Sequence, residues 1–220
     1  MKLPNKTLER NLFKSGYRLI YAVDEVGMGC LAGPVVVCAV AMTNTFYNKY
    51  HKKLHWIRDS KLMQVNQREK LSVELLKEKD LVYALTFAYP RTIDKLNIYQ
   101  ASRLAMRNAI KKIKPDFDLK SIALVDGNKK IPGLRGEQMA IVRGDRRVFA
   151  IACASIIAKV HRDKMMVNYA KKYLGYGFEK HKGYGTKLHR EMLAINGVSD
   201  IHRRSFAPVA ILIKNEKIKM

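Results

Sequence analysis

Acidic residues are scarce in this sequence, and two of them are adjacent at the end of an apolar segment. Between Arg10 and Arg58 the only acidic residues are Asp24 and Glu25. The residues that follow them read VGMG, and glycines in such a loop let the backbone approach a ligand closely. The carboxylate pair and the loop are therefore candidates for a functional site.

Two further acids have comparable positions. Asp126 ends another apolar segment and precedes Gly127, and Asp145 precedes a long predicted helix. Ligands collect at the carboxyl ends of strands in α/β folds. Carboxylates gathered there would repel each other unless cations lie among them, and their oxygens suit Mg²⁺ or Mn²⁺. In a basic protein this pattern predicts two-metal hydrolysis of phosphodiester bonds.

Each carboxylate also has a non-catalytic interpretation. The Asp24–Glu25 pair would fit a polar strand end, and Asp126 with the following glycine would fit an ordinary turn. Asp145 would fit a helix N-cap. Asp163, the alternative fourth carboxylate, would fit a surface ion pair on a helix. Spacing alone singles out the first pair and leaves the other acids open.

The composition restricts the class of protein. The 220 residues include 42 Lys and Arg against 19 Asp and Glu, a formal net charge of +23, and 48% are hydrophobic. That hydrophobic content excludes intrinsic disorder, and the charge predicts a polyanionic partner. No run of about 18 apolar residues and no apolar N-terminal segment is present, so we expect a cytoplasmic protein without membrane binding.

Cysteine and histidine spacing predicts neither a zinc site nor a disulfide. Cys30, Cys38 and Cys153 form no CxxC pair, and the six histidines form no HxxxH or HExxH motif. We therefore expect small buried thiols in a reducing compartment.

Hydrophobic patterning predicts an α/β protein in which a mixed sheet is flanked by helices. Strands are predicted at residues 18–23, 34–42, 81–89, 121–125 and 139–142, and helices at residues 91–114 and 146–173. A loop rich in Gly, Tyr and His follows at residues 175–185. We expect one catalytic domain over residues 1–220, with a core at about 17–175 and a basic helical segment at 176–220.

The segment YAVDEVGMG, followed by LAGP, resembles the opening signature of ribonuclease HII. Further matching blocks follow in the family's order, at residues 58–62, 96–98, 125–128, 144–145, 154–163, 181–186 and 202–206. The resemblance spans residues 17–209, nearly the whole chain.

This resemblance implies an RNase H-like fold with a helical C-terminal part. It implies a metal-dependent endonuclease that cuts RNA paired with DNA and single ribonucleotides embedded in duplex DNA, leaving 5′-phosphate and 3′-hydroxyl ends. The catalytic and metal-binding carboxylates carry over to Asp24, Glu25, Asp126 and Asp145, with Mg²⁺ or Mn²⁺ as the cofactor. A monomer is expected.

The loop after the carboxylate pair departs from the family pattern. The family usually has Gly-Arg-Gly, whereas this chain has Gly27, Met28 and Gly29. In the family this loop and a tyrosine corresponding to Tyr184 sense the 2′-hydroxyl at the RNA–DNA junction. Met28 lacks a guanidinium that could hold a phosphate or anchor the loop. We expect hybrid cleavage to survive, and junction cleavage to be weakened or altered in metal preference; alternatively, Met28 is a tolerated filler.

Several basic and polar residues are predicted to contact the nucleic acid: Ser60, Lys61, Asn97, Ser155 and Lys182. Such contacts position a duplex without reading its sequence. Two other functions would each fit part of this pattern. A non-catalytic nucleic-acid-binding protein would explain the charge but not an acidic pair beside a glycine loop. A 3′–5′ exonuclease would be expected to have an Asp-x-Glu strand instead of adjacent Asp and Glu.

Overall fold

The computed structural model describes residues 7–50, 63–114 and 119–218. Within them the elements are, in chain order, α1 (Thr7–Lys14), β1 (Leu19–Val26), β2 (Val35–Thr43), α2 (Asn44–Tyr50), α3 (Val65–Lys77), β3 (Leu81–Ala88), α4 (Pro90–Leu96), α5 (Ile98–Lys112), β4 (Ser121–Asp126), β5 (Glu137–Ile141), α6 (Gly144–Arg147), α7 (Phe149–Lys172), α8 (Phe178–His181), α9 (Lys187–Asn196) and α10 (Ala207–Ile218).

The strands form one five-stranded sheet in the order β3-β2-β1-β4-β5. β1 is parallel to β4, with Val23 beside Val125, and β4 is parallel to β5. The apolar residues 20–23 of β1 and 122–125 of β4 are buried on both faces, as expected for central strands. The next residues after the paired valines are Asp24 and Asp126, so the register brings two of the predicted carboxylates to one edge of the sheet. The predicted mixed sheet with helices is confirmed.

Both long predicted helices are divided. The helix predicted at residues 91–114 is interrupted at Asn97, whose φ of 67° breaks the α-helical path between α4 and α5. The Asn97 Oδ1 accepts a hydrogen bond from the Gln100 N–H, and so caps the second helix. The helix predicted from residue 146 is interrupted at Val148, which has extended backbone angles. The predicted loop at residues 175–185 contains the short helix α8.

The described residues divide into two compact units. The described residues within Met1–Val26, Val37–Thr86 and Arg103–Val160 form unit 1, and those within Gly27–Val36, Phe87–Ser102 and His161–Met220 form unit 2. In unit 1, the mostly small side chains at residues 150–155 of α7 are almost fully buried. The core of unit 2 is built largely from aromatic and aliphatic side chains: Leu31, Met166, Tyr176, Phe178, Leu193, Ile201 and Val209.

Two expectations from the composition concern buried thiols and membranes. Cys30, Cys38 and Cys153 are all free thiols with 0% exposure, which confirms the predicted burial. Among the described residues, no helix is long and apolar enough to cross a membrane.

Candidate active site

Three of the predicted carboxylates are positioned by the central parallel strands of unit 1. Asp24 and Glu25 are among the last residues of β1, and Asp126 is the last residue of β4. Because the two strands are parallel and in register at Val23 and Val125, these side chains lie at the same edge of the sheet. Asp24 is buried, and its Oδ1 accepts a hydrogen bond of 2.7 Å from the Glu25 N–H.

A tight turn brings Asp145 to the same cluster. The Gly144 N–H donates a hydrogen bond of 2.6 Å to the Asp126 Oδ1, and Asp145 is the next residue. A Cβ at Gly144 would lie 2.5 Å from Ile151 Cδ1 and 3.1 Å from Asp126 Oδ1, so this close approach favours glycine. Asp145 is the second residue of α6 and is not its N-cap, a position that Arg143 occupies. The N-cap interpretation of Asp145 is therefore wrong.

The four carboxylates interact electrostatically. Burial raises the pKa of Asp24 well above its ordinary value, and the negative charges of Glu25, Asp126 and Asp145 raise it further. The Ser155 hydroxyl donates a hydrogen bond to Asp24 and opposes this shift by favouring the ionised carboxylate. Ser155 was predicted to contact phosphate; its hydroxyl instead contacts Asp24, and the phosphate contact stays a prediction.

The donor set fits a hard divalent cation by its chemistry. The cluster offers carboxylate oxygens, the ligands that Mg²⁺ and Mn²⁺ prefer, in a buried position where the charges oppose each other. In the part of the chain that the structure describes, no three His, Cys, Asp or Glu side chains already form a coordination set.

Two buried arginines hold the glycine loop in unit 2. Arg162 and Arg203 are each 0% exposed. Arg203 donates to the backbone carbonyls of Gly27 at 2.7 Å and of Met28 at 2.8 Å. The Arg162 guanidinium packs against the same loop, because a Cβ at Gly27 would lie 2.3 Å from its Nε. Sequence reasoning did not single out either arginine, although both lie in blocks that carry the family resemblance.

The loop and Tyr184 are brought together, as the resemblance implies. Cys30 and Tyr184 form an isolated antiparallel bridge, and the Leu31 N–H donates to the Gly183 carbonyl at 2.8 Å. The Arg162 guanidinium carbon lies 5.8 Å from the centre of the Tyr184 ring. Burial raises the pKa of Tyr184, so its hydroxyl remains protonated at neutral pH.

A cluster of three buried histidines supports the Tyr184 segment. His189 Nδ1 is 2.9 Å from the Tyr184 carbonyl, which can only accept, so this nitrogen donates. His189 Nε2 must then accept from His202 Nε2, 3.1 Å away, and His202 Nδ1 accepts from the Ser199 N–H. His181 Nδ1 accepts from the Gly183 N–H, and its ring stacks on His189 at 4.3 Å. The network is satisfied only with neutral imidazoles.

This network predicts a loss of stability in acid. Burial lowers the pKa of His189 and of His202 from 6.5 to about 4. The unfolded chain therefore binds more protons between these two values, so their stabilisation is present above pH 6.5 and is lost as the pH falls through 4. We expect the free energy of unfolding to fall by up to about 3 kcal/mol per histidine over this range. Denaturant unfolding measured between pH 4 and 7 checks this.

The matched variant is His189→Gln, because the amide can keep both hydrogen bonds and does not titrate. Its free energy of unfolding should change less steeply between pH 4 and 7 than that of the unmodified protein. Identical pH dependence in the two proteins would contradict the neutral network.

Comparison with known proteins identifies the family. The family model of ribonuclease HII matches residues 22–209. The chain belongs to the ribonuclease HII family. Ribonuclease HII from Caldicellulosiruptor bescii is 47% identical, over 90% of this chain and 91% of its own length. Membership makes this chain a metal-dependent endoribonuclease with ribonuclease H activity on RNA–DNA hybrids.

Solved structures show the same fold. The ribonuclease H2 from Pyrococcus horikoshii OT3 has a TM-score of 0.76 at 23% identity, covering 90% of this chain and 99% of that chain. Bst-RNase HIII, solved in complex with Mn²⁺, has a TM-score of 0.72 at 16% identity, covering 92% of this chain and 71% of that chain. The predicted RNase H-like fold is confirmed.

Four other residues of this ribonuclease HII were predicted to contact nucleic acid, and the structure describes two of them. Ser60 and Lys61 lie outside the described residues. Asn97 is exposed and caps α5, and Lys182 is half-buried, with its ammonium donating to the Glu179 carbonyl. Their contacts with nucleic acid stay predictions.

Proposed function

We propose that this ribonuclease HII cuts the RNA strand of RNA–DNA hybrids, and also cuts at ribonucleotides embedded in duplex DNA, by two-metal phosphodiester hydrolysis. The products would carry 5′-phosphate and 3′-hydroxyl ends. The observation that supports this most is the buried Asp24, whose pKa three neighbouring carboxylates raise. A protein with a net charge of +23 has little other use for such a concentration of acids, which repels phosphate. It would act as a cytoplasmic monomer.

Asp24, Glu25, Asp126 and Asp145 would hold the cations, with Mg²⁺ or Mn²⁺ as the ion. Bound cations would activate the attacking water and stabilise the negative charge that develops on the scissile phosphate. The chain's own groups orient the ligands. The Ser155 hydroxyl donates to Asp24 and favours its ionised form. The Gly144 N–H fixes the Asp126 carboxylate.

The surplus of basic residues would bind the duplex through its phosphates. Such contacts carry no sequence information, and they make affinity fall steeply with salt. The Gly27–Gly29 loop and Tyr184 would recognise the ribose, because a 2′-hydroxyl is what distinguishes RNA from DNA at a given position. This loop follows β1 directly in the chain, two residues after Glu25.

The proposal is tested with two labelled substrates, an RNA–DNA hybrid and a DNA duplex that contains one ribonucleotide. Each is incubated with Mg²⁺ or Mn²⁺, and then with EDTA in excess. We expect internal cuts in both substrates, 5′-phosphate ends, and no product in EDTA. Binding without cleavage, or stepwise trimming from an end, would contradict the proposal.

Met28 predicts an asymmetry between the two substrates. In Met28→Arg, the added guanidinium would supply a phosphate contact beside the ribose. A contact of this kind contributes about 1 kcal/mol, so we expect about fivefold faster cleavage at the single ribonucleotide. Hybrid cleavage should change little, because a hybrid offers a ribose at every position. Steady-state kcat/KM on both substrates measures the difference.

The control for this prediction is Met28→Leu, which keeps the volume and adds no charge and should match the unmodified protein on both substrates. Equal rates for Met28→Arg and the unmodified protein at the single ribonucleotide would instead mean that Met28 is a tolerated filler.

A further inference from the structure

Each of the three guanidinium nitrogens of Arg203 donates to a backbone carbonyl of one loop. It donates to Gly27 at 2.7 Å, to Met28 at 2.8 Å, and to Gly33 at 3.0 and 2.9 Å. The side chain is 0% exposed. A planar fork of N–H donors can hold three carbonyls in fixed relative positions, which a lysine ammonium on a flexible stem cannot do.

These contacts determine where the amide groups of the loop point. The described chain has no cis peptide bond, and in a trans peptide the C=O and the following N–H point in opposite directions. With the Gly27 carbonyl turned toward Arg203, the Met28 N–H points away from it. The Met28 carbonyl and the Gly29 N–H are related in the same way. Two successive amide donors therefore face away from the buried guanidinium.

The outer side of this loop is open. Gly29 is exposed, and a Cβ built on it would meet no atom within 4 Å. Gly27 is the opposite case, because its Cβ would collide with Arg162 at 2.3 Å. The loop thus packs tightly on the arginine side and leaves room for a ligand at Gly29.

Arg162 joins this loop to the segment that contains Tyr184. It donates to the carbonyls of Pro34 at 3.0 Å, Ala32 at 3.2 Å and Lys182 at 2.9 Å. Its guanidinium also lies over the Tyr184 ring. The two arginines therefore fix both parts of the expected ribose-sensing site, the glycine loop and the Tyr184 segment.

Burying two guanidinium groups is costly. Burial lowers the pKa of Arg203 to about 10, and the charge of Arg162 contributes to this shift. Arg203 nevertheless stays protonated at neutral pH and keeps all its donors. If these side chains only packed the loop against the rest of unit 2, apolar side chains of similar volume would do so with a smaller desolvation penalty.

We propose that Arg203 is a positioning residue for substrate selection: it holds the Gly27–Gly29 backbone so that the Met28 and Gly29 N–H groups meet the ribose 2′-hydroxyl. Arg162 fixes the same loop to the Tyr184 segment. This role rests on the proposed cleavage at embedded ribonucleotides. It also explains how a loop with methionine at position 28 is anchored, because the guanidinium comes from position 203.

The test compares Arg203→Lys with Arg204→Lys, the same change at the neighbouring exposed residue. For each protein kcat/KM is measured on the single-ribonucleotide duplex and on the hybrid. A loosened loop should lower kcat/KM more on the single-ribonucleotide duplex, because that duplex can be cut in only one binding position. A hybrid can be cut in many. We expect the ratio of the two values to fall about tenfold in Arg203→Lys and to stay unchanged in Arg204→Lys.

A second variant, Gly29→Ala, tests the same amides without touching the arginine, in case Arg203→Lys fails to fold. The added methyl has open space in the protein, so the unfolding temperature should change little, while the ratio should fall as in Arg203→Lys. If kcat/KM fell equally on both substrates in these variants, or did not fall, the role of Arg203 would be overturned and the proposed function would stand. An unmodified protein that cuts the hybrid but never the single ribonucleotide would overturn the proposed function, and the role of Arg203 with it.

Discussion

Replacing Asp24 with Asn is expected to lower hybrid cleavage by on the order of 10³-fold or more while leaving duplex affinity unchanged. The amide is close in shape to the carboxylate and can still accept from the Ser155 hydroxyl, but it cannot serve as an anionic metal ligand. Duplex binding depends on basic residues elsewhere. Single-turnover cleavage, together with the Kd for a labelled hybrid in EDTA, measures both effects.

Stability provides the control for Asp24→Asn. Burial and three carboxylates disfavour the ionised Asp24, so removing its charge should not lower the unfolding temperature in metal-free buffer. Asp200→Asn makes the same change at an exposed position and should leave cleavage unaffected. Cleavage by Asp24→Asn within tenfold of the unmodified protein would remove Asp24 from the metal site.

Asp145→Asn and Asp163→Asn are expected to separate the two candidates for the fourth carboxylate. The charge of Asp145 raises the pKa of Asp24, whereas the charge of Asp163 raises the pKa of Tyr184. We therefore expect cleavage to fall by about 10²-fold in Asp145→Asn and by no more than about twofold in Asp163→Asn. Initial rates of hybrid cleavage at saturating Mg²⁺ make the comparison.

The two variants are matched, because each replaces one carboxylate by an amide within the C-terminal half of the chain. Raising the Mg²⁺ or Mn²⁺ concentration should recover part of the activity of Asp145→Asn, since a weakened site fills at higher metal concentration. A larger loss in Asp163→Asn than in Asp145→Asn would assign the fourth ligand to Asp163.

The carboxylate cluster was predictable because local pattern and sheet geometry agree. When two parallel strands in register each carry an acid near the carboxyl end, the two acids lie close together. Asp24 of β1 and Asp126 of β4 meet this condition. Asp145 was harder to assign from the sequence, because its position depends on a hydrogen bond between Gly144 and Asp126 across 18 residues. Periodicity does not report such a contact.

The anchoring of the glycine loop could not be predicted in this way. Arg203 bonds to Gly27 across 176 residues, and Arg162 bonds to Ala32 across 130. Arginines are usually exposed, so nothing in the composition indicated that these two would be buried. The division of the helix predicted at residues 91–114 has a local reason, since Asn97 is a residue type that tolerates positive φ. From the sequence we could see that Met28 lacks the guanidinium usual in the family. We could not see that the guanidinium of Arg203 holds the same loop by its backbone carbonyls.

The central claim, that Asp24 and its neighbouring carboxylates hold the metal ions, is tested most directly by anomalous diffraction from crystals grown with Mn²⁺. We expect a manganese peak about 2.1 Å from an oxygen of Asp24 and within bonding distance of Glu25, Asp126 or Asp145. The peak should be absent from crystals of Asp24→Asn. Manganese bound only elsewhere on the chain, or a peak that persists unchanged in Asp24→Asn, would contradict the account.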